Sequence, residues 1–162
     1  MSAADLSDVE AVFDDLRGYS VRVDDEPRRR GAAEEFATAV PPGCGLQDKH
    51  AFVAKRDGLP VGLLDIIDGY PGQGVAFIGL LAVNESLHGA GIGRRLYAEA
   101  ERYVRDRLGA YTIRLAVVEA NPVLGFWQRM GFSPTGESKP YGGGVVASRA
   151  IFLEKALGSE SD

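Results

Sequence analysis

The sequence has 162 residues, of which 45% are hydrophobic and 25% are charged. These values are typical of one globular domain with a core of its own, and they exclude a disordered chain. The net charge of −5, from 18 basic and 23 acidic residues, does not favour nucleic acid as a partner, because non-specific binding of that kind depends on a basic face that neutralises phosphates.

Cysteine and histidine are scarce. Cys44 is the single cysteine and there are two histidines, so the sequence predicts neither an internal disulfide nor a metal site. No apolar run reaches the length of about 18 residues that a membrane-spanning helix needs. The acidic N-terminus does not resemble a secretory signal. We therefore expect a cytoplasmic protein with no membrane partner.

The first forty residues predict two helices. Apolar residues recur at spacings of three and four from Leu6 to Tyr19, as in a helix that packs one face on a core. A weaker helical pattern covers residues 32–40 and ends at Pro41, since proline lacks the backbone N–H that a helix needs. We expect a loop between the two helices.

From residue 50 onward the pattern changes to short apolar runs. Residues 50–55 and 60–67 flank an Asp-Gly pair at 57–58, which predicts a hairpin because this pair readily takes the positive φ of a tight turn. Residues 75–83 are continuously apolar, so we expect a central strand covered on both faces. Gly79 inside that strand predicts a bulge.

A glycine-rich loop then opens the longest predicted helix, which ends at Gly109. The strand predicted at 111–118 follows that helix and should run parallel to 75–83, because a strand, a helix and a second strand favour a parallel crossover. A short helix at 122–130 and two further strands complete the pattern.

The predicted fold is α+β with αβα layers, a mixed and strongly twisted sheet of about six strands flanked by helices. We expect a single domain over residues 1–157 and a disordered tail over 158–162. Whether a strand precedes the first helix stays open, because few residues stand before it; residues 19–23 could instead be extended.

The glycine-rich loop predicts an anion site. Glycines at alternate positions before a helix expose backbone N–H groups at the positive end of the helix dipole, where phosphate binds well. A dinucleotide-binding motif requires a third glycine where Arg94 stands. The loop motif of nucleoside-triphosphate-binding proteins, with its Lys and Ser or Thr, does not occur in the sequence.

Two segments together resemble the GNAT superfamily of N-acetyltransferases. Residues 75–95 are similar to the family's strand, Q/R-x-x-G-x-G/A loop and helix, with His88 in the first position of the loop. Residues 121–132 are similar to the following block, in which an asparagine precedes a short helix with an aromatic pair and a closing Gly-Phe. The resemblance covers about two thirds of the chain. It implies a GNAT-like fold and acetyl transfer from acetyl-CoA to an amine, directly within a ternary complex.

The resemblance also implies which residues bind the cofactor. The backbone of the fourth strand would hold the pantetheine arm and polarise the thioester carbonyl, the loop amides would bind the pyrophosphate, and an asparagine would contact the arm from the far side. An aromatic residue of the short helix packs against the cofactor or the core. On this sequence the residues are Leu81, Ala82, Val83, His88, Gly89, Ala90, Gly91, Ile92, Gly93, Arg94, Asn121 and Trp127.

The catalytic groups are less well defined. Many relatives have tyrosine where this chain has Trp127, and indole cannot protonate the departing thiolate. Tyr141 is the candidate replacement, unless the thiolate leaves without an acid. A base is needed because an alkyl ammonium, with a pKa of about 10, is not nucleophilic until it loses a proton. Glu119 is the first candidate, since it follows a buried strand face and should be partly buried. Asp65 is the second, with acceptor binding or a buried hydrogen bond as equal alternatives.

The expected partner is a small-molecule or peptide amine, with no metal, and a homodimer stays open. Two other functions remain under consideration. A CoA-sensing or scaffolding module would keep the cofactor site with little or no turnover, and the tryptophan at 127 favours it. A phosphate-loop nucleotide binder would be protected against heat by ATP or NAD rather than by CoA.

Overall fold

The computed structural model describes residues 2–3, 8, 11–12, 38–83, 91–119, 123–141 and 148–157. Within these residues the strands form one seven-stranded mixed sheet in the order β1-β2-β3-β4-β5-β7-β6. The strands are β1 (Ser2–Ala3), β2 (Lys49–Arg56), β3 (Leu59–Asp68), β4 (Val75–Val83), β5 (Thr112–Val118), β6 (Ser133–Tyr141) and β7 (Ser148–Ala156). The helices are α1 (Ile92–Tyr103), which continues as a π-helical turn (Val104–Leu108), α2 (Leu124–Arg129), and a 3-10 turn (Leu46–Asp48).

The predicted hairpin is confirmed as β2 and β3. Asp57 and Gly58 connect the two strands with φ values of 54° and 81°, so both turn residues are left-handed. This backbone matches the right-handed twist of the flanking strands, which is why the Asp-Gly pair marks the turn so clearly.

The central strand is confirmed as β4, which pairs antiparallel with β3 on one side and parallel with β5 on the other. The predicted bulge is present too. Asp65 lies opposite Leu80 while the next residue, Ile66, lies opposite Ile78, so Gly79 is the extra residue of β4.

Helix α1 supplies the parallel crossover from β4 to β5. Its apolar stripe buries Leu96, Tyr97 and Ala100 against one face of the sheet, whose largest fully buried side chains include Leu64 and Ile113. The predicted helix to residue 108 is regular only as far as Tyr103, and the five residues of the π-helical turn complete it. Gly109 then ends it with a φ of 65°, as predicted.

Side chains on the opposite face of the sheet are buried too. Val53 and Leu63 are fully buried although neither belongs to the α1 core, because side chains alternate between the two faces of a strand. Asp8, one of the few described N-terminal residues, forms an ion pair with Lys55 of β2 at 3.1 Å. Most of the two predicted N-terminal helices, and residues 19–23, lie outside the described residues.

A strand does precede the first predicted helix. Ser2–Ala3 pairs antiparallel with β2 at the sheet edge, Ser2 opposite Val53 and Ala3 opposite Phe52. This edge strand accounts for the difference between the seven strands observed and the six or so expected.

The C-terminal strands extend the sheet beyond β5. The order β5-β7-β6 is linked by Arg114, whose guanidinium binds Glu154 of β7 at 2.6 Å and Glu137 of β6 at 2.9 Å. Arg114 and Glu154 are register partners, so this is a cross-strand charge pair of the kind that stabilises sheets. The predicted tail over residues 158–162 lies outside the described residues.

Candidate active site

The site is centred on a cleft where two parallel strands separate. Strands β4 and β5 are register partners from Val75 and Thr112 to Ile78 and Leu115. Beyond that point β4 continues to Val83 on β3, while β5 continues on β7. In the described part of the chain, β4 and β5 form no further residue pairs beyond that point. Their facing edges therefore diverge from the bulge onward.

The bulge explains why the divergence begins where it does. An extra residue in one strand bends it and increases its twist, and Gly79 is that residue in β4. A Cβ at this position would lie 2.6 Å from Oδ2 of Asp65, so only glycine leaves room for the carboxylate. The carboxylate of Asp65 therefore stands at the apex of the cleft.

Asp65 is a buried acid with a buried basic partner. Its side chain is 12% exposed, and Oδ1 accepts a hydrogen bond from Nζ of Lys49 at 2.9 Å, where the lysine side chain is 3% exposed. Burial raises the pKa of Asp65, and the hydrogen bond and charge of Lys49, with the charge of His50, offset that rise only in part. The structure thus gives Asp65 both the buried hydrogen bond and the apolar surroundings that the sequence suggested.

The N-terminus of α1 lies at the end of β4, beside the cleft. Gly91 is its N-cap residue, with φ 81° and ψ 4°, and the first helical hydrogen bond runs from the N–H of Arg95 to the carbonyl of Gly91 at 3.1 Å. The N–H groups of Ile92, Gly93 and Arg94 therefore belong to the set that a helix start leaves without helical partners. Among the described residues no side chain caps this end.

Within the described residues the side of the helix start at Gly91 is open. There a Cβ at Gly91 would meet no described heavy atom within 4 Å, whereas one at Gly93 would touch the ring of Phe126 at 3.4 Å and Val83 at 3.9 Å. Gly93 thus faces the protein and Gly91 faces the opening, while Arg94 is exposed. Backbone donors, the positive end of the helix dipole and a nearby guanidinium together fit a diphosphate.

The other described residues of the predicted cofactor set line the same region. Leu81 is half-buried, and Ala82 and Val83 are each 7% exposed, all on the part of β4 that has left β5. Backbone groups of alternate residues there point toward the cleft, since hydrogen-bonding directions alternate along a strand. This is the position from which a strand backbone could bind an extended ligand arm.

Trp127 packs in the core of the protein. Its side chain is buried, with the residue 6% exposed, and its ring meets those of Tyr97 and Phe132 edge-on at centroid distances of 5.7 Å and 5.3 Å. Trp127 was expected to pack against the cofactor or against the core, and its described contacts are with the core. The indole therefore helps to fix α2 against α1, next to the helix start.

Glu119 does not have the environment that we expected. It follows β5 and is exposed, although the face it should share, with Ile113 and Leu115, is buried. The strand face stops being covered before Glu119, whose N–H still donates to the carbonyl of Arg149 at 2.9 Å. The expectation of partial burial is therefore wrong, and a role as base stays a prediction.

Several predicted site residues cannot be placed. His88, Gly89, Ala90 and Asn121 lie outside the described residues. Tyr141 ends β6 opposite Ser148, and its side chain is likewise outside the description.

Sequence reasoning missed Lys49. Lys49 is the first residue of β2 and lies on the same face of the sheet as Val53. Ala51, two residues further along that face, is the register partner of Asp65 in β3. The available signal was the two-residue alternation, which places a lysine and an aspartate on buried strand faces. Strand alternation shows the face but not the pairing register, so the ion pair could not be derived.

A second cavity, of about 660 Å³, lies at the other end of the sheet. Cys44, Asp48, Asp68 and Tyr111 are among its lining residues, near the starts of β4 and β5 rather than their ends. Among the described residues no group of three or more His, Cys, Asp or Glu side chains could hold a metal ion.

In the described part of the chain, no helix is both long enough and apolar enough to cross a membrane.

Comparison with known proteins identifies the family. Residues 10–132 match the family model described as acetyltransferase (GNAT) family. The chain therefore belongs to the GNAT family of acetyltransferases, which confirms the resemblance drawn from the loop and the aromatic block. A search of curated proteins found no match.

Solved structures share the fold. An acetyltransferase from Thermus thermophilus superposes with a TM-score of 0.73 at 24% identity, covering 96% of this chain and 95% of its own. Nourseothricin acetyltransferase has a TM-score of 0.62 at 25% identity, with coverage of 74% and 70%. A Bacillus subtilis acetyltransferase in complex with CoA has a TM-score of 0.58 at 21% identity, with coverage of 69% and 79%. The GNAT-like fold predicted from the sequence is thus confirmed.

Proposed function

We propose that this protein transfers an acetyl group from acetyl-CoA to a primary amine of a small molecule or peptide, directly within a ternary complex. The observation that carries the proposal is the junction of the open helix start at Gly91 with the diverging edges of β4 and β5. A nucleotide diphosphate and a narrow, extended arm need these two features side by side. The CoA complex of the similar Bacillus subtilis acetyltransferase supports this choice of ligand.

Acetyl-CoA, when bound, supplies the acetyl thioester. The N–H groups of Ile92, Gly93 and Arg94 bind its diphosphate, and the positive end of the α1 dipole adds to their attraction. The backbone of Leu81 to Val83 binds the arm, and an N–H of that segment stabilises the negative charge that develops on the carbonyl oxygen. Holding both reactants in one cleft supplies much of the rate.

Direct transfer is favoured over an acetyl-cysteine route. The chain has one cysteine, and Cys44 lines the cavity near the starts of β4 and β5, whereas the cleft lies at their other end. A thiol in that position cannot accept the acetyl group from the cleft and pass it on. The amine must therefore reach the thioester itself and lose its proton to a base, for which Asp65 and Glu119 are the candidates.

A CoA-binding module with little turnover is the second candidate function. The core position of Trp127 favours it, because the family resemblance implies a tyrosine at this place in many members, and an indole in the core supplies no proton to a leaving thiolate. The choice between the two depends on whether the thiolate, with a thiol pKa of about 8.5, needs an acid at all.

The test is a screen of amine libraries for thiol release from acetyl-CoA, with calorimetric binding of acetyl-CoA measured in parallel. Release that depends on one class of amine supports the transferase. Binding without release across the panel supports the module. Stabilisation against heat by ATP or NAD, and not by CoA, would contradict both the transferase and the CoA-binding module. It would instead support a phosphate-loop nucleotide binder. Cytoplasmic location and a homodimer stay predictions.

A further inference from the structure

We propose that Lys49 is a positioning residue of the acceptor half of the site, which holds Asp65 ionised with Oδ2 directed at the bulge, where the incoming amine gives up its proton. The inference rests on the proposed function and assigns a role to a residue that no motif contains. It follows from the place of the pair at the apex of the cleft, from the way the ammonium is held, and from the charges around the carboxylate.

The first observation is the place of the carboxylate. Oδ2 of Asp65 lies against the backbone of Gly79, close enough that a Cβ there would stand 2.6 Å away. Gly79 follows Ile78, the last residue of β4 that pairs with β5, and is exposed. The carboxylate thus borders the opening of the cleft, while most of its side chain is shielded from water.

The second observation is that Lys49 is held from two sides. Its Nζ donates to Oδ1 of Asp65 and to the carbonyl of Ala39, each at 2.9 Å. Among the described contacts these acceptors hold the ammonium, and the ammonium in turn occupies Oδ1. Oδ2, the other oxygen of the carboxylate, is the one at the bulge, 2.6 Å from where a Cβ of residue 79 would stand.

The third observation is the local charge. Among the described residues the charged or titratable groups that face Asp65 are Lys49 and His50, both on β2, while β4 contributes the backbone of Gly79. His50 is held by the hydroxyl of Tyr103, 2.7 Å from Nδ1. A carboxylate so deeply buried would be protonated readily without a cation, and a protonated acid cannot accept a proton.

The step balances as follows. The amine nitrogen forms a bond to the acetyl carbon, and the carbon–sulfur bond of the thioester breaks. The proton of the amine passes to Oδ2 of Asp65, directly or through one water, and the departing thiolate takes a proton from solvent. Asp65 then returns its proton to water, and the pair with Lys49 is restored.

A purely structural ion pair is the alternative. Replacing a buried pair by apolar residues is often neutral for stability, whereas removing one partner leaves an uncompensated charge. A loss of stability in a Lys49 variant would therefore not distinguish the two roles. The dependence of the rate on pH does, because only a proton acceptor transmits its ionisation to turnover.

The experiment compares kcat/KM for the best amine of the screen, from pH 6 to pH 10, in the wild type, Lys49→Met, Lys49→Arg and Asp65→Asn. Dividing each variant's rate by that of the wild type cancels the titration of the amine itself. We expect the pH–rate profile of Lys49→Met to shift upward by about 1–3 pH units relative to the wild type, so that the variant is slower at low pH and approaches the wild type at high pH, since an opposite charge lowers the pKa of an aspartate by about that amount. Lys49→Arg should retain most activity across the range, and Asp65→Asn should lose it at every pH.

A ratio for Lys49→Met that does not change with pH, or full activity in Asp65→Asn, overturns the inference. If Lys49→Met does not fold, Lys49→Gln takes its place, since its amide still donates a hydrogen bond without a charge. A titration of the ¹³C-labelled Asp65 carboxyl by NMR needs neither amine nor cofactor: an unchanged midpoint in the lysine variant also overturns the inference. A wild type that acetylates no amine overturns the proposed function, and the NMR titration still decides whether Lys49 sets the charge of Asp65.

Discussion

Replacing Gly91 by leucine tests the anion site directly, because the change adds a side chain at the opening and little else. At φ 81° the backbone of Gly91 is left-handed, a conformation that costs an L-residue about 1–2 kcal/mol. Among the described residues no heavy atom lies within 4 Å of the new Cβ, so the Cβ itself adds no clash with them. The lower entropy of the unfolded chain returns about 0.4–1 kcal/mol. The net loss in the free energy of unfolding is about 1 kcal/mol, which lowers Tm by about 2–4 °C in a chain of this size.

The expected effect on CoA binding is larger. The leucine side chain stands where a phosphate would approach the first N–H groups of α1, and one hydrogen bond to a charged group is worth about 1.5–3 kcal/mol. Loss of a single such bond raises the Kd for CoA by about 10- to 150-fold. Isothermal titration calorimetry measures the Kd, and urea unfolding measures the stability.

Gly109 offers a matched control. Its φ is 65° and a Cβ there also meets no described atom within 4 Å, but it ends the π-helical turn, far along the chain from the N-terminus of α1. Gly109→Leu should lose a similar amount of stability and bind CoA as the wild type does. Equal affinity in the two variants, or an unchanged Kd in Gly91→Leu, would refute a diphosphate site at this helix start.

Three further predictions concern side chains. If Glu119 rather than Asp65 takes the amine's proton, Glu119→Gln lowers kcat while leaving the Kd for acetyl-CoA unchanged, and steady-state kinetics with equal kcat would remove Glu119 from the mechanism. Burial alone would raise the pKa of Glu101, but hydrogen bonds from Lys155 and Tyr97 lower it below its ordinary value of 4.5. The ionised Glu101 therefore stabilises the folded protein at a pH above 4.5, and this stabilisation is lost as the pH falls through the pKa of the folded state. Glu101→Gln should therefore cost about 2 kcal/mol at pH 7 and less at pH 3, and urea unfolding that shows the same difference at both pH values would contradict this. Trp127→Phe should keep kcat, since the indole supplies no proton, whereas Trp127→Ala should lose about 3–5 kcal/mol of stability; a large fall in kcat for a well-folded Trp127→Phe would show that the indole contributes to the reaction.

The sequence by itself determined the features that depend on neighbouring residues. The hairpin turn at Asp57 and Gly58 and the opening of α1 after a glycine-rich loop both follow from local backbone preferences. The bulge at Gly79 and the parallel strand after α1 follow from a glycine in an apolar run and from the handedness of crossovers. Each of these signals lies within a few residues or within one strand–helix–strand unit.

Only the tertiary structure decided which side chains meet. Glu119 was expected to share the burial of its strand face, but burial depends on how far the covering layer extends, and that layer stops before it. Lys49 and Asp65 are separated by 16 residues, and their ion pair depends on the register between β2 and β3 and on the bulge opposite. Alternation along a strand determines which face a residue occupies, whereas register and cover come from contacts between distant segments. For that physical reason the motifs could predict where a cofactor would bind, and only the folded sheet placed a buried carboxylate and its lysine at the apex of the cleft.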